Sequence, residues 1–249
     1  MNNNTNIDRH LSDPLGSSPA QLCSFYIDAF NLYHSLVDLI KYESSGLLLN
    51  NIPNLHKIKW CNLRLLCEYL LRNNANCIIK DIYFFTAIPS HRPQDQINRH
   101  NQYCRILSEI CKINIINGKF SHGNEKQTDV NLAVHVLSDV LLKKVHSVYI
   151  ISNDSDIIPI INKVKEYSPR TNINIIKPPS AKYIHHKKDG TSSIYETTQL
   201  SFDIKKAMDW YYDGKFNRIR ELKPLHLLDR LLDDKITLQD GTIIKNPYI

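Results

Sequence analysis

Five short runs of β-branched and aromatic residues recur along this chain with longer segments between them: SFYID at 24–28, CIIKDIYFFTAI at 77–88, INIINGKF at 113–120, SVYIIS at 147–152 and NINIIK at 172–177. Their near-continuous apolar character marks strands buried on both faces, as in parallel sheets. Between them, Trp60 to Arg72, Gln94 to Cys111, Val130 to Lys144 and Ile157 to Glu166 repeat an apolar residue every three or four positions, the period of an amphipathic helix. In the third of these, Val130, Val134, Leu137 and Leu141 make one stripe. Parallel neighbours need crossover connections, so the pattern predicts an α/β three-layer sandwich around a mostly parallel, about five-stranded sheet.

The alternation also sets boundaries. Residues 1–20 are polar and carry no periodic apolar pattern, which predicts a disordered N-terminal tail. Residues 21–212 hold the domain, closing with a helix over Phe202–Tyr212, and 213–249 form a C-terminal extension. Within that extension LKPLHLLDRLL reads as a docking helix or a contact to a partner, including a second copy of the chain. The stretches 41–57 and 178–198 read as long connections, and loops of that length commonly carry function.

A hydrophobic share of 42% over 249 residues is enough for a sizeable core. The net charge of +6 suits a polyanionic partner. No stretch reaches the roughly 20 apolar residues of a membrane span, and the first residues lack the apolar centre of a signal peptide, so a cytoplasmic location is expected. The six cysteines show neither a CxxC pair nor a zinc-type Cys/His spacing, and free buried thiols are expected.

Four aspartates fall where chemistry is expected. In open parallel sheets, ligands bind outside the carboxyl ends of the strands, near the point where strand order reverses. Asp28 ends the first strand, Asp154 and Asp156 follow the fourth, and Asp129 opens the helix leading into that fourth strand. Carboxylates gathered this way raise one another's pKa, and such a group is normally balanced by cations. Oxygen ligands select hard metals, Mg²⁺ or Mn²⁺, and the chemistry those ions support at such an edge is phosphodiester hydrolysis. Each aspartate has a plainer reading too, as a helix N-cap; Asp156, just before Ile157, Ile158 and Pro159, fits that role well. Asp81 and Asp139 read as surface charges or local ion pairs.

Three segments, YIDAFNLYHSL at 26–36, EKQTDVNLAVHVLSDVL at 125–141 and SVYIISNDSDIIPIINKVKE at 147–166, resemble in order the motifs of the NYN domains, a family in the PIN-like superfamily of metal-dependent ribonucleases. The resemblance spans roughly residues 21–180 and implies a PIN-like, Rossmann-like fold. It further implies RNA as substrate, single-stranded or structured, and an Mg²⁺ or Mn²⁺ site built from Asp28, Asp129, Asp154 and Asp156. Asn31 matches a recurrent family asparagine that positions a ligand or its own turn. The chain departs from the pattern at Ala29 and Asn153, where relatives usually carry Gly, and at His135, where many carry a further acid. Asparagine tolerates a left-handed backbone better than most residues.

Phosphate contacts supply most of the affinity for nucleic acid. Arg92, Arg99, Lys126 and Lys182, with Asn31, are the expected substrate-positioning residues. His91, His100, Lys119, Lys177, His185, His186, Lys187 and Lys188 sit at or near the same predicted loops, and Tyr33, Tyr183 and Tyr195 are candidates to stack on bases. The alternative function is a non-catalytic RNA- or protein-binding module of the same fold. A phosphatase with an aspartyl nucleophile would need an acid two residues after Asp28, where this chain has Phe30.

Overall fold

The computed structural model describes residues 20–48, 52–74, 76–121, 124–209, 211–212, 215–216 and 218–249. The expected N-terminal tail, apart from Ala20, lies outside the described residues. Six parallel strands, β1 (Gln21–Asp28), β2 (Cys77–Thr86), β3 (Asn114–Asn117), β4 (Ser147–Ile151), β5 (Asn172–Lys177) and β6 (Arg218–Glu221), stand in the order β6-β5-β4-β1-β2-β3. Helices α1 (Ala29–Ser44), α2 (Leu63–Leu71) and α3 (Gln94–Glu109) cover one face. The other face carries α4 (Thr128–Leu141), α5 (Ile158–Tyr167) and α6 (Phe202–Met208). The expected three-layer α/β architecture is therefore present, with every strand of the main sheet parallel.

The pleat explains why the strands lack clean alternation. In β1, Cys23, Phe25 and Ile27 enter the core under α1–α3, while Tyr26 enters the core under α4–α6. Tyr149 and Ile151 of β4 divide from Val148 and Ile150 in the same way. Both faces are buried, so both sets must be apolar. All six cysteines are free thiols. Among the described residues no helix is long and apolar enough to cross a membrane.

The sheet gains a sixth strand beyond the expected five. Arg218–Glu221 reads RIRE and, among the described residues, pairs only with β5, in register from Arg218↔Asn174 to Glu221↔Lys177. An edge strand is free to be charged, and its charge blocks further pairing; no apolar pattern was there to announce it. The leucine-rich segment behind it forms a short helix, α7 (Pro224–Leu228). Leu222, Leu227 and Leu232 are buried with Ile236, Leu238 and Ile244 in the core beneath α1–α3, while Leu225 is exposed. The 178–198 connection is largely a hairpin of Lys182–His186 paired with Ser192–Glu196. The helix expected over Phe202–Tyr212 stops at Met208.

Three of the four residues in the stripe assigned to α4 face away from the core, and the fourth, Leu137, is half-buried against it. Val130, Val134 and Leu141 are 64%, 58% and 52% exposed, and the buried face is Leu132, Val136 and Val140. Both sets have helical spacing, so periodicity alone does not choose between them. Each buried Leu or Val contributes about 1.5–3 kcal/mol, and the sheet selects the face that also carries Asp139. That residue is no surface charge: it is buried, accepts a hydrogen bond from the Tyr26 hydroxyl at 2.9 Å and pairs with Lys144 at 3.5 Å. Asp129 lies three, seven and eleven residues before Leu132, Val136 and Val140, so the same rotation turns it toward the sheet.

Candidate functional site

The chain leaves β1 toward β2 and β3 on one side, and β4, β5 and β6 lie on the other. The switch point is therefore between β1 and β4, and the crevice at their carboxyl ends is where open sheets of this kind bind ligands. Ile27 is opposite Ile151, so the next residues, Asp28 and Ser152, emerge side by side. The Ser152 hydroxyl donates to Asp28 Oδ2 at 3.0 Å, and the Asn31 backbone N–H donates to Oδ1 at 3.0 Å, making Asp28 the N-cap of α1. Asp28 is only 6% exposed. Burial pushes its carboxyl up to about 6 against the lowering effect of those two hydrogen bonds, with Asp129 and Asp154 raising it further.

The other three aspartates are exposed at the same edge. Asp154 donates its backbone N–H to Ser152 Oγ at 3.1 Å, and its Oδ1 accepts the Asp156 N–H at 3.0 Å, capping a 3₁₀ turn over Ser155–Ile157. Asp129 sits in the first turn of α4. Its carboxyl is raised by partial burial and then by the charges of Asp154 and Asp156. Asp28 therefore feels the charges of Asp129 and Asp154, and Asp129 those of Asp154 and Asp156. Asp28 and Asp154 do cap helical turns, and a carboxylate that accepts one backbone N–H keeps lone pairs for another partner.

Two local features hold this edge in shape. Asn31 Oδ1 accepts the Asn153 backbone N–H at 3.0 Å and ties the first motif to the third. Asn153 has no left-handed backbone; its side chain instead donates to the Gln199 carbonyl at 3.0 Å. On the opposite side, a hairpin of Lys119–Ser121 with Asn124–Lys126 leads into α4 through Gln127, whose φ of 76° is left-handed. Gly118 lies beneath that turn. A Cβ there would stand 2.5 Å from Thr128 Oγ1 and 2.6 Å from the Lys126 carbonyl oxygen, with the Thr128 backbone N at 3.2 Å. Backbone cannot yield as a flexible side chain does, so Gly118→Ala is expected to cost about 1–3 kcal/mol in chemical denaturation and to displace Asp129. An unchanged unfolding midpoint would show that the turn is free to shift.

The basic candidates do not all converge. Arg92 and Lys126 are exposed on the loops at the carboxyl edge. Arg99 is ion-paired with Asp95 at 2.8 Å. Lys177 is buried and bound to Glu196 at 2.6 Å, to Ser180 at 2.9 Å and to Glu221 at 3.5 Å, so it fastens the hairpin base and β6 rather than offering a free charge. The hairpin beginning at Lys182 runs along α1 toward that helix's far end, with Tyr42 stacked on Tyr183 at 4.0 Å and Leu48 bridged to Tyr183. Tyr183, Tyr195, His185 and His186 follow it there. His100 is packed between Thr86 and Cys104, and burial lowers its pKa. His135 bonds the Asn131 carbonyl at 2.8 Å and packs on Tyr83 and Phe85, so no further acid joins the cluster at that position.

Sequence comparison bears on the same three motifs. The model of the NYN domain matches residues 25–193, more than half of the chain and all four aspartates. The chain belongs to the NYN domain family. Members of this family are predicted ribonucleases that typically use divalent metals. No curated protein matches the sequence. A solved structure of a protein of unknown function from Vibrio parahaemolyticus superposes with a TM-score of 0.47 at 12% identity, over 88% of this chain and 100% of that one. In this NYN domain β6 and α7 lie beyond the matched residues.

The donor set suits a hard cation, because the four aspartates offer only carboxylate oxygens. Among the described residues no three Asp, Glu, His or Cys side chains form a preassembled ligand group. Asp28 is held rigidly by two hydrogen bonds, while Asp129, Asp154 and Asp156 are exposed and have room to turn toward a shared ion.

Proposed function

We propose that this NYN domain is a metal-dependent ribonuclease that hydrolyses RNA phosphodiester bonds at the edge formed by Asp28, Asp129, Asp154 and Asp156. One observation supports the reading: acids from all three family motifs lie at the carboxyl edge of the switch point, where burial first and their mutual repulsion second raise the proton affinity of Asp28 and Asp129. The fold keeps this repulsion although the N-caps of α1 and of the 3₁₀ turn need only one acceptor each. A divalent cation relieves it. Held by these four residues, Mg²⁺ or Mn²⁺ would supply Lewis acidity toward the phosphoryl group and a lowered pKa for the attacking water.

The chain's own groups do the rest. Ser152 and the Asn31 N–H fix the Asp28 carboxylate before substrate arrives, so little reorganisation is left for the reaction. α1 and α4 begin at this edge, and the positive ends of their dipoles favour an approaching phosphate. Arg92 and Lys126, exposed at that edge, would contact flanking phosphates, whereas Arg99, ion-paired with Asp95, and Lys182, on the hairpin along α1, do not converge there. Asn31 acts through the turn it cross-links.

The test is cleavage of end-labelled mixed-sequence RNA by the purified chain in Mg²⁺, in Mn²⁺ and in EDTA. Cleavage is expected with either metal and absent in EDTA, with restoration on adding excess metal. Cleavage that survives EDTA would overturn the reading. Folded protein that binds RNA in all three conditions without cutting it would favour the binding-module alternative. A labelled DNA strand belongs in the same assay, since none of these residues reads a 2′-hydroxyl.

A further inference from the structure

Three segments far apart in the chain bring aromatic rings together beside Asp28. Phe30, in the first turn of α1, meets Phe120 edge-on with ring centroids 5.7 Å apart. His91, from the loop after β2, lies 4.8 Å from Phe120. His34, one turn further along α1, is 6.4 Å from Phe30 and 6.0 Å from Tyr33. None of these five residues belongs to either hydrophobic core. Phe30 and Phe120 are half-buried, and Tyr33, His34 and His91 are exposed. Large rings usually serve the core; here they are spent on the functional edge.

Cations stand among them, although Glu125 is opposite Phe120 in the hairpin. Lys59 sits over the Tyr33 ring with Nζ 5.4 Å from its centroid. Arg92 adjoins His91, Lys119 adjoins Phe120, and Lys126 is opposite Lys119 in the hairpin. Ring faces interleaved with cations are the recognition chemistry of single-stranded nucleic acid, in which bases stack on aromatics while cations track the phosphates. Bases inside a duplex are already stacked and cannot be shared.

We propose that Phe30, His34, His91 and Phe120 form a stacking subsite for one unpaired base of the strand whose phosphodiester lies at Asp28. The subsite takes its position relative to the cut from the nuclease reading, but its occupant, an unpaired base, is set by the rings and cations alone. It reads the π-face of a base and not its edge, so it selects single strands over duplexes with little sequence preference. Its reach is one side of the acids, toward β2 and β3.

The experiment uses the full chain in EDTA and a single-stranded RNA of about a dozen nucleotides carrying one 2-aminopurine, with affinity read by anisotropy and stacking by fluorescence quenching. The combined change Phe120→Leu and His91→Ala is expected to weaken binding about tenfold and to remove the quenching. Phe120→Tyr, which keeps the ring, retains both. The same strand with an abasic residue in place of 2-aminopurine binds the wild type about as weakly as the intact strand binds the double variant, and a duplex of the same sequence is insensitive to the changes. Equal affinity for wild type and a double variant with an unchanged unfolding midpoint overturns the subsite. So does an equal loss on the duplex, or a folded wild type that binds no oligonucleotide and prefers an apolar peptide. Quenching without cleavage in Mn²⁺ overturns the nuclease reading and leaves the subsite standing; metal-dependent cleavage with an unaltered KM in the double variant does the reverse.

Discussion

Asp154→Asn is expected to lower metal-dependent RNA cleavage by on the order of 10²-fold or more while leaving the fold intact. Even the groups that orient metal ligands typically cost 10–100-fold when removed, and Asp154 contributes a charged oxygen to the cation itself. The substitution is structurally mild. The amide oxygen it introduces still accepts the Asp156 N–H, so the cap on the 3₁₀ turn survives, and the Ser152 contact uses only the backbone N–H at this position. Side-by-side initial rates in Mn²⁺, with far-UV circular dichroism and unfolding midpoints as controls, make the measurement. Wild-type rates in a folded Asp154→Asn protein would remove the carboxylate cluster from the mechanism.

Asp28→Asn is expected to stabilise the metal-free chain at neutral pH while abolishing cleavage. The Asp28 carboxyl is pushed up to about 6 by burial, so the folded state holds a proton that the unfolded chain, titrating near 4, gives up. Between those values the folded form binds more protons than the unfolded one. Stability therefore falls as pH rises from about 4 to about 6 and stays lower above that window. With the residue buried, the full effect is about 3 kcal/mol. Asparagine keeps the acceptor for the Asn31 N–H but turns an amide toward Ser152, so a gain of about 1–2 kcal/mol is the expectation at pH 7.5, shrinking toward zero near pH 4. Urea titrations in EDTA at the two pH values decide it. A less stable Asp28→Asn protein at pH 7.5 would mean that the ionised carboxylate is held by favourable partners rather than strained by burial. A divalent cation should stabilise the wild type more at pH 7.5 than at pH 5, because it competes with the proton for the same oxygens.

These expectations depend on a proposed site whose acids the sequence offered as candidates. Asp28, Asp129, Asp154 and Asp156 were legible because each abuts a strand or helix whose period is local, and because their motifs recur in the family. Their double duty was less legible: Asp28 and Asp154 do cap helical turns, which the N-cap preference had offered as a rival explanation. The aromatic residues beside them were only partly visible. Phe30, Tyr33 and His34 stand within the first motif, but Phe120 reaches Phe30 from 90 residues away and His91 joins through Phe120, and no spacing rule connects them. Lys59, over Tyr33, gave no signal either, since it lies in a 3₁₀ turn with no motif around it.

The chain's local patterns by themselves determined the α/β class and the parallel sheet and set the four candidate acids at element ends, because strand and helix periods and capping chemistry act over a few residues. Tertiary packing alone decided which face of α4 is buried, since its two apolar stripes are equally helical and only the sheet, through Tyr26 and Asp139, distinguishes them. It also decided the sixth strand, whose charged residues are tolerated at an edge and need only β5 to pair with. Lys177 belongs with these: as a sequence position it is a free cation after a strand, and only the approach of Glu196 and Glu221 makes it a buried ion pair. In each case the deciding contact joins residues distant in the chain, and its energy exists only once the sheet has brought them together.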